Sequence, residues 1–230
     1  MSYIISELLT EDQVSQIRSV LHSSKTWVDG MISRKKGLGE VATNSGIKKN
    51  VELNCETDAY QKASSILFSA LIGCIDWVDF TIGEKSGPIM FSRTLQGGYY
   101  KPHFDSPDMG QFSNTVFLSD PDEYSGGELV LMNGNRSEKI KLKSGSMVTY
   151  PSGLSHQVNE VTSGTREVAV FWTQSKFKNF RQREIYSDLQ KALRHLPPYT
   201  TPDSVEESQR QPSFLIVQVM QNMIRYQADL

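Results

Sequence analysis

Tyr99-Tyr100-Lys101-Pro102-His103-Phe104-Asp105 is the stretch around which the chain is organised. Its centre is His-x-Asp. In a β-strand, residues i and i+2 share a face and lie roughly 6.5 Å apart. His103 and Asp105 therefore present an imidazole and a carboxylate side by side, two of the three groups of a two-histidine, one-carboxylate facial triad. That ligand set suits Fe(II) and leaves coordination positions open. A lone His-x-Asp arises often by chance. The pair gains meaning from the second half of the chain, which supplies His156 and Arg166 in a matching order.

Around this stretch the composition is that of a globular protein. The chain has 230 residues, 38% apolar and 22% charged. A chain of that length buries about 70% of its unfolded surface. Its net charge of −2 provides no global basic field to recruit nucleic acid. Cys55 and Cys74 are its two cysteines, too few for a disulfide framework, so a reducing, cytoplasmic setting is expected. Met1–Ser6 lacks a basic region followed by a long apolar run, so no signal peptide is expected. No segment reaches the ~20 apolar residues that span a bilayer.

The run of short strands begins at Pro88. Eight candidates follow, at 90–95, 99–105, 114–118, 128–132, 139–142, 147–150, 156–161 and 167–173. Turn residues separate them: Gly97-Gly98, Ser119-Asp120-Pro121-Asp122, Asn133-Gly134-Asn135, Lys143-Ser144-Gly145 and Thr162-Ser163-Gly164. Asn133-Gly134 favours a tight hairpin because both residues tolerate positive φ. Eight strands with such turns fit a double-stranded jelly roll. An immunoglobulin-like sandwich is the structural alternative, and no cysteine pair supports it.

Helices flank the strands. After a short strand at 3–5, Thr10 caps a helix that runs to about His22; Gln13 completes a capping box, and Leu9 and Val14 form a hydrophobic staple. His22, at the polar end of that helix, reads as a solvated residue. Ser33–Glu40 is polar and glycine-bearing and reads as a mobile loop, either a lid over a site or an ordinary exposed loop. Residues 47–53 return as a strand near the site. From Thr57 to about Ile75, the apolar residues Ala63, Ile66, Leu67, Ala70, Leu71 and Cys74 recur at helical spacing, one face against the outside of a sheet. Trp77 and Phe80 read equally as core or pocket wall. Helices are expected again from Asn179 to about His195 and from Phe214 to about Tyr226, joined by Pro197-Pro198 and a polar linker. His195, at a helix C-terminus, reads as structural.

His156 enters a late strand from Tyr150-Pro151-Ser152-Gly153-Leu154-Ser155. A jelly roll can bring this strand against the one carrying His103 and Asp105, completing the triad. Arg166 follows ten residues later at the start of the closing strand. An antiparallel pair would place it beside His156, where its planar guanidinium offers a fork for a carboxylate.

Several pieces of the chain together resemble the PKHD-type hydroxylases, in the prolyl-4-hydroxylase-like branch of the Fe(II)- and 2-oxoglutarate-dependent dioxygenases. They are Phe91-Ser92-Arg93, Gly97-Gly98-Tyr99-Tyr100, His103-x-Asp105, the run from Phe117 to Leu129 and Tyr150-Pro151-Ser152. Trp27-Val28-Asp29-Gly30, Lys48-Lys49-Asn50 and Phe171-Trp172-Thr173-Gln174-Ser175 extend the likeness over nearly the whole chain. The resemblance implies a mainly β fold with flanking helices (α+β): a double-stranded β-helix over 1–176 and a helical appendage over 177–230. It implies Fe(II) at His103, Asp105 and His156, the distal carboxylate of 2-oxoglutarate at Arg166, O2 as oxidant and L-ascorbate as reductant. It also implies hydroxylation of an unactivated C–H, with release of succinate and CO2. Alternation along the strand puts Tyr99 on the face of His103 and Asp105, which makes Tyr99 rather than Tyr100 the expected hydrogen-bond partner of the co-substrate. Peptidyl proline is the substrate that the family name suggests; a free amino acid, another small molecule or another protein side chain is equally open. Two rivals stand beside this reading. One is a cupin-type metalloenzyme without 2-oxoglutarate, whose sites usually use more histidines than the four present here. The other is a catalytically silent jelly-roll module.

Overall fold

A computed structural model describes residues 3–31, 46–198, 208 and 211–228. The expected loop Ser33–Glu40 lies outside these residues. Among the described residues, strands build two facing sheets of nine and five strands, in the order β1-β12-β8-β14-β6-β4-β2 and β11-β10-β13-β7-β3, with β5 and β9 attached to β14. In chain order they are β1 (Ile4–Glu7), β2 (Trp27–Asp29), β3 (Lys48–Lys49), β4 (Val51–Leu53), β5 (Gly83–Ser86), β6 (Met90–Leu95), β7 (Tyr99–His103), β8 (Phe112–Phe117), β9 (Tyr124–Gly126), β10 (Leu129–Asn133), β11 (Arg136–Ile140), β12 (Ser146–Pro151), β13 (Ser155–Val158) and β14 (Val161–Ser175). All pairings are antiparallel, as a double-stranded β-helix requires. β3 pairs with β7 in the small sheet and β4 with β6 in the large one, so residues 48–53 cross between the sheets and close one side of the sandwich.

The β10–β11 hairpin turns on Gly134 and Asn135, with Gly134 at φ +59. A positive φ at the first turn position alone is the type II′ pattern, so one residue of Asn133-Gly134 supplies it rather than both.

Helix α1 (Glu11–Ser23) starts as its sequence dictates. Thr10 and Gln13 form the reciprocal capping box, and Val14, Ile17 and Leu21 face inward. The expected helix from Thr57 divides into α2 (Asp58–Gly73) and α3 (Ile75–Thr81), which meet at 79°. Gly73 ends the first because glycine favours leaving the helical basin. Cys74 is the hinge between them and packs on the core as a partly buried side chain. Ala63, Leu67 and Leu71 of α2 join Phe91, Val116, Ala169 and Phe171 of the large sheet in one buried cluster. Trp77 of α3 is core, and its indole N–H donates to Asn114 Oδ1 at 2.9 Å.

The closing strand is longer than the sequence suggests. β14 runs through Thr162-Ser163-Gly164, read above as a turn; Gly164 sits at φ +72 beside a register shift, so the chain bends within the strand. Gly83–Ser86 and Tyr124–Gly126 are strands that no periodicity signalled.

After β14 come α4 (Phe180–Arg194), capped by Asn179, and α5 (Pro212–Ala228). Their packing surface is shared with the rest of the molecule: Tyr186 and Met220 cluster with Ile82 and Phe177. Arg183 donates to the carbonyl of Phe80, and Arg194 pairs with Asp79. Among the described residues no single helix is long and apolar enough to cross a membrane.

Candidate metal centre

β7 and β13 lie side by side with His103 opposite His156. Asp105 follows two residues past the end of β7 and turns back toward them. The ligating atoms of His103, Asp105 and His156 all lie within 4.8 Å of one another. Asp105 Oδ2 is 3.6 Å from His156 Nε2. The two imidazole rings sit 4.2 Å apart.

Each of the three is aimed by a neighbour. His103 Nδ1 donates to the carbonyl of Lys101 at 2.8 Å, and His156 Nδ1 donates to the carbonyl of Leu154 at 3.0 Å. In both cases the acceptor is two residues upstream, and in the neutral ring the bond makes Nε2 the nitrogen with the free lone pair. Ser113 Oγ donates to Asp105 Oδ2 at 2.5 Å. Such bonds fix ring tautomer and carboxylate orientation in metal sites. Ser113 was not singled out in the sequence; an alternation reading of β8 would have placed it inward, although no motif marks it.

Arg166 lies elsewhere than expected. β13 belongs to the small sheet, whereas β14 pairs with β6 and β8 in the large one, Arg166 opposite Thr94. Arg166 and His156 are therefore not neighbours in one antiparallel pair. They face the same pocket from opposite sheets, because Val161 and the following residues carry the chain across before Arg166 is reached. Arg166 is 3% exposed, and no carboxylate pairs with it among the described residues. Its Nε has no hydrogen-bond partner. Burial pulls its pKa below the ordinary value, opposed by the hydroxyls of Tyr124 and Tyr150. A buried guanidinium without a carboxylate is a ready receptor for one.

Glu167, the adjacent residue, points the other way, as strand alternation requires. It receives Arg93 at 2.6 Å and Arg18 at 3.2 Å. His22 also contacts it, at 2.9 Å, so that histidine, exposed as expected, is in addition a hydrogen-bond partner of Glu167.

The pocket is lined from both sheets by Arg166, Val168, Val170 and Trp172 of β14, by Met90, Ser92 and Thr94 of β6, and by Tyr150 beside His156. Burial pushes the Tyr150 hydroxyl pKa far up, with the charge of Asp105 adding to it, so it remains a protonated donor. Tyr99 lines the pocket too, but its hydroxyl donates to the carbonyl of Gly46 at 3.2 Å. Tyr100, and not Tyr99, stacks on His103, with ring centroids 3.5 Å apart. The reason is a register shift: four residues of β7, Tyr100 to His103, lie opposite three residues of β13, His156 to Val158. That β-bulge inverts the alternation on which the Tyr99 expectation rested.

A double-stranded β-helix whose core brings two histidines and a carboxylate together, opposite a buried arginine, defines the class of Fe(II)- and 2-oxoglutarate-dependent oxygenases. Residues 89–174 match the family model described as the 2OG-Fe(II) oxygenase superfamily. A PKHD-type hydroxylase of Prochlorococcus marinus is 34% identical over 202 residues, covering 85% of this chain and 88% of the relative. Another, from Nitrobacter winogradskyi, is 32% identical over 206 residues with the same coverage, 85% and 88%. The chain belongs to the PKHD-type hydroxylases. Among solved structures, a Trichoplax adhaerens prolyl hydroxylase in complex with a hypoxia inducible factor peptide shares the fold. It has TM-score 0.59 and 15% identity, over 80% of this chain and 86% of that one. A Pseudomonas putida prolyl-4-hydroxylase superposes with TM-score 0.50 at 15% identity, covering 75% of this chain and 92% of that chain. This chain is thus a 2-oxoglutarate-dependent hydroxylase, with Fe(II), 2-oxoglutarate and O2 as its reactants and cofactor.

Proposed function

We propose that His103, Asp105 and His156 hold the Fe(II) and that Arg166 binds the distal carboxylate of 2-oxoglutarate. The observation that carries this reading is the pairing of a preoriented N, N, O donor set with a buried guanidinium that has no protein carboxylate of its own. When bound, iron and 2-oxoglutarate supply oxidative decarboxylation to succinate and CO2, coupled to insertion of oxygen into a C–H bond. The chain's own residues then have distinct tasks. Lys101 and Leu154 carbonyls keep the two Nδ1 atoms protonated and the Nε2 atoms ready. Ser113 turns the carboxylate of Asp105. Arg166 fixes one end of the co-substrate, so that its other end reaches the triad. Val168, Val170, Met90 and Trp172 exclude water from the space between.

The absence of further histidines around the cluster and the presence of Arg166 weigh against a cupin-type enzyme. The complete donor set weighs against a silent module. For the primary substrate we take a polypeptide side chain, with peptidyl proline as the first probe. The apolar wall suits an aliphatic group, and the Trp172 indole N–H, buried without an acceptor, offers a donor to a backbone carbonyl. With iron bound, L-ascorbate would supply the reducing equivalents that keep the metal ferrous. The free thiols Cys55 and Cys74 and the need for ferrous iron favour a reducing, cytoplasmic setting. We assign 1–176 to the catalytic unit and 177–230 to an appendage docked on it through Arg183 and Arg194.

The test is O2 consumption by the iron-loaded protein with and without 2-oxoglutarate, with succinate measured in parallel. Uptake that requires 2-oxoglutarate and yields succinate supports the reading. Uptake indifferent to 2-oxoglutarate refutes the role of Arg166.

A further inference from the structure

One wall of the site holds a line of side chains that the proposed chemistry does not use. Tyr100 lies nearly flat on His103, with ring planes 17° apart. The ammonium of Lys48 sits over the Tyr100 ring, 5.0 Å from its centre. Glu52 Oε1 holds that ammonium at 2.5 Å. Asn50 Nδ2 reaches Glu52 at 3.4 Å and Ser92 Oγ at 2.7 Å. Lys48 and Glu52 are 6% and 5% exposed. Desolvating such a pair costs about as much as the pair returns, so its place here needs a reason other than stability.

We propose that Tyr100 is a positioning residue for His103, and that the Lys48–Glu52 pair sets Tyr100. The inference rests on reading His103 as a metal ligand. Of the two histidines, His103 is the one more in need of support: it is the last residue of β7 and only partly buried, whereas His156 lies within β13 and is buried. The bond from Nδ1 to the Lys101 carbonyl holds the ring against turning in its own plane. It resists tilting out of that plane poorly. A ring stacked flat against the imidazole blocks that tilt. The two constraints are perpendicular, and together they fix the direction of Nε2. The bulge between Tyr100 and His103 is what allows residues three apart to meet. Lys48 in turn cannot leave the Tyr100 ring without abandoning Glu52 in a buried site. Its charge also draws on the π face of the ring, which favours stacking against an electron-rich neutral imidazole. Because β3 and β4 flank Asn50, this brace is anchored to both sheets at once.

The test uses the full chain, metal-free, titrated anaerobically with Co(II) alone, reading affinity by chelator competition and geometry by the visible absorption of the bound ion. Tyr100→Phe keeps the ring and should match the wild type in both. Tyr100→Leu should weaken Co(II) at least tenfold, the loss typical when a group orienting a metal ligand is removed. It should also shift the absorption bands, which a purely structural residue would leave in place. The double variant Lys48→Met with Glu52→Gln leaves no buried charge unpaired and should move both readouts in the same direction as Tyr100→Leu. If Tyr100→Leu does not fold, the double variant decides. Co(II) affinity and spectrum unchanged in a folded Tyr100→Leu, or in the double variant, overturn the inference alone. Failure of the wild type to bind Co(II) overturns the triad reading, and this inference with it.

Discussion

Replacing Arg166 with Met separates binding from folding, because the structure assigns the two effects opposite signs. The guanidinium is 3% exposed, and no carboxylate pairs with it among the described residues. The hydroxyls of Tyr124 and Tyr150 act on it, and being neutral they cannot balance its charge. Without ligand the protein therefore carries an unbalanced buried cation. Met keeps most of the aliphatic stem and removes the charge. Exchanging buried charged groups for apolar residues of similar volume is often neutral or stabilising by about 1–4 kcal/mol. The metal-free variant should thus unfold in urea at the same denaturant concentration as the wild type or a higher one. Toward 2-oxoglutarate the change is a loss. Truncating one partner of a desolvated charge pair costs about 2–5 kcal/mol. At 1.4 kcal/mol per decade, that is a loss of roughly thirtyfold to several thousandfold in affinity. The assay is anaerobic titration of 2-oxoglutarate into Mn(II)-loaded protein, with unfolding repeated at saturating ligand. At a hundred times its Kd, a ligand stabilises by about 2.7 kcal/mol. The wild type should show that gain and Arg166→Met almost none at the same concentration. Arg166→Lys should recover only part of the affinity, since an ammonium lacks the planar fork. Wild-type affinity in Arg166→Met, together with a loss of ligand-free stability, would mean that the guanidinium serves the fold and not the co-substrate.

Other outcomes follow from the same geometry. Asp105→Ala should lose stoichiometric Fe(II) binding, because two ligands are an inadequate set, and Asp105→Glu should bind weakly because the longer carboxylate no longer meets Ser113; equilibrium dialysis of Fe(II) reads both. Leu71→Ala should cost about 2–5 kcal/mol in urea unfolding, since Leu71 is 3% exposed in the α2 interface; a change within about 0.5 kcal/mol would place that face at the surface. Burial alone would raise the pKa of Glu167, but hydrogen bonds and charges from Arg93 and His22 outweigh it and hold the carboxyl below its usual value. Its contribution to stability is therefore complete above the unfolded carboxylate pKa near ~4.3 and is lost as pH falls through the lower folded value. Glu167→Gln should flatten that acid limb of the stability curve, and an unchanged limb would remove Glu167 from the cause.

His103, Asp105 and His156 were legible in the sequence because a strand writes its face into alternate letters, and because hairpin turns limit which strands can adjoin. The family resemblance then supplied the roles proposed for them. What failed to show was anything decided between strands. The bulge in β7 costs no distinctive residue, so the exchange of Tyr99 for Tyr100 beside His103 left no mark in the sequence. Arg166 was found, but its sheet was not, since Thr162-Ser163-Gly164 reads as a turn and behaves as a bend inside one long strand. The break at Cys74 hid within a continuous apolar period that two helices share. Ser113 and the Lys48–Glu52 pair are side chains of ordinary type whose meaning comes only from what folds against them.

The neighbouring charges Arg166 and Glu167 act on β14 as a parity check. Each is buried, each on its own side of the large sheet, Glu167 among the cationic groups of Arg18 and Arg93 and Arg166 toward the pocket that Asp105 also lines. A slip of one residue against β6 and β8 would invert both. The carboxylate would then face the wall that holds Asp105, and the guanidinium would be driven among Arg18, Arg93 and His22. Apolar alternation alone would penalise the slip weakly here, because Val168, Ala169, Val170 and Phe171 are apolar on both faces and would tolerate either. The pair therefore supplies the error signal that the rest of the strand lacks. Reversing the two residues should yield a chain that misfolds, even though its composition and net charge are untouched.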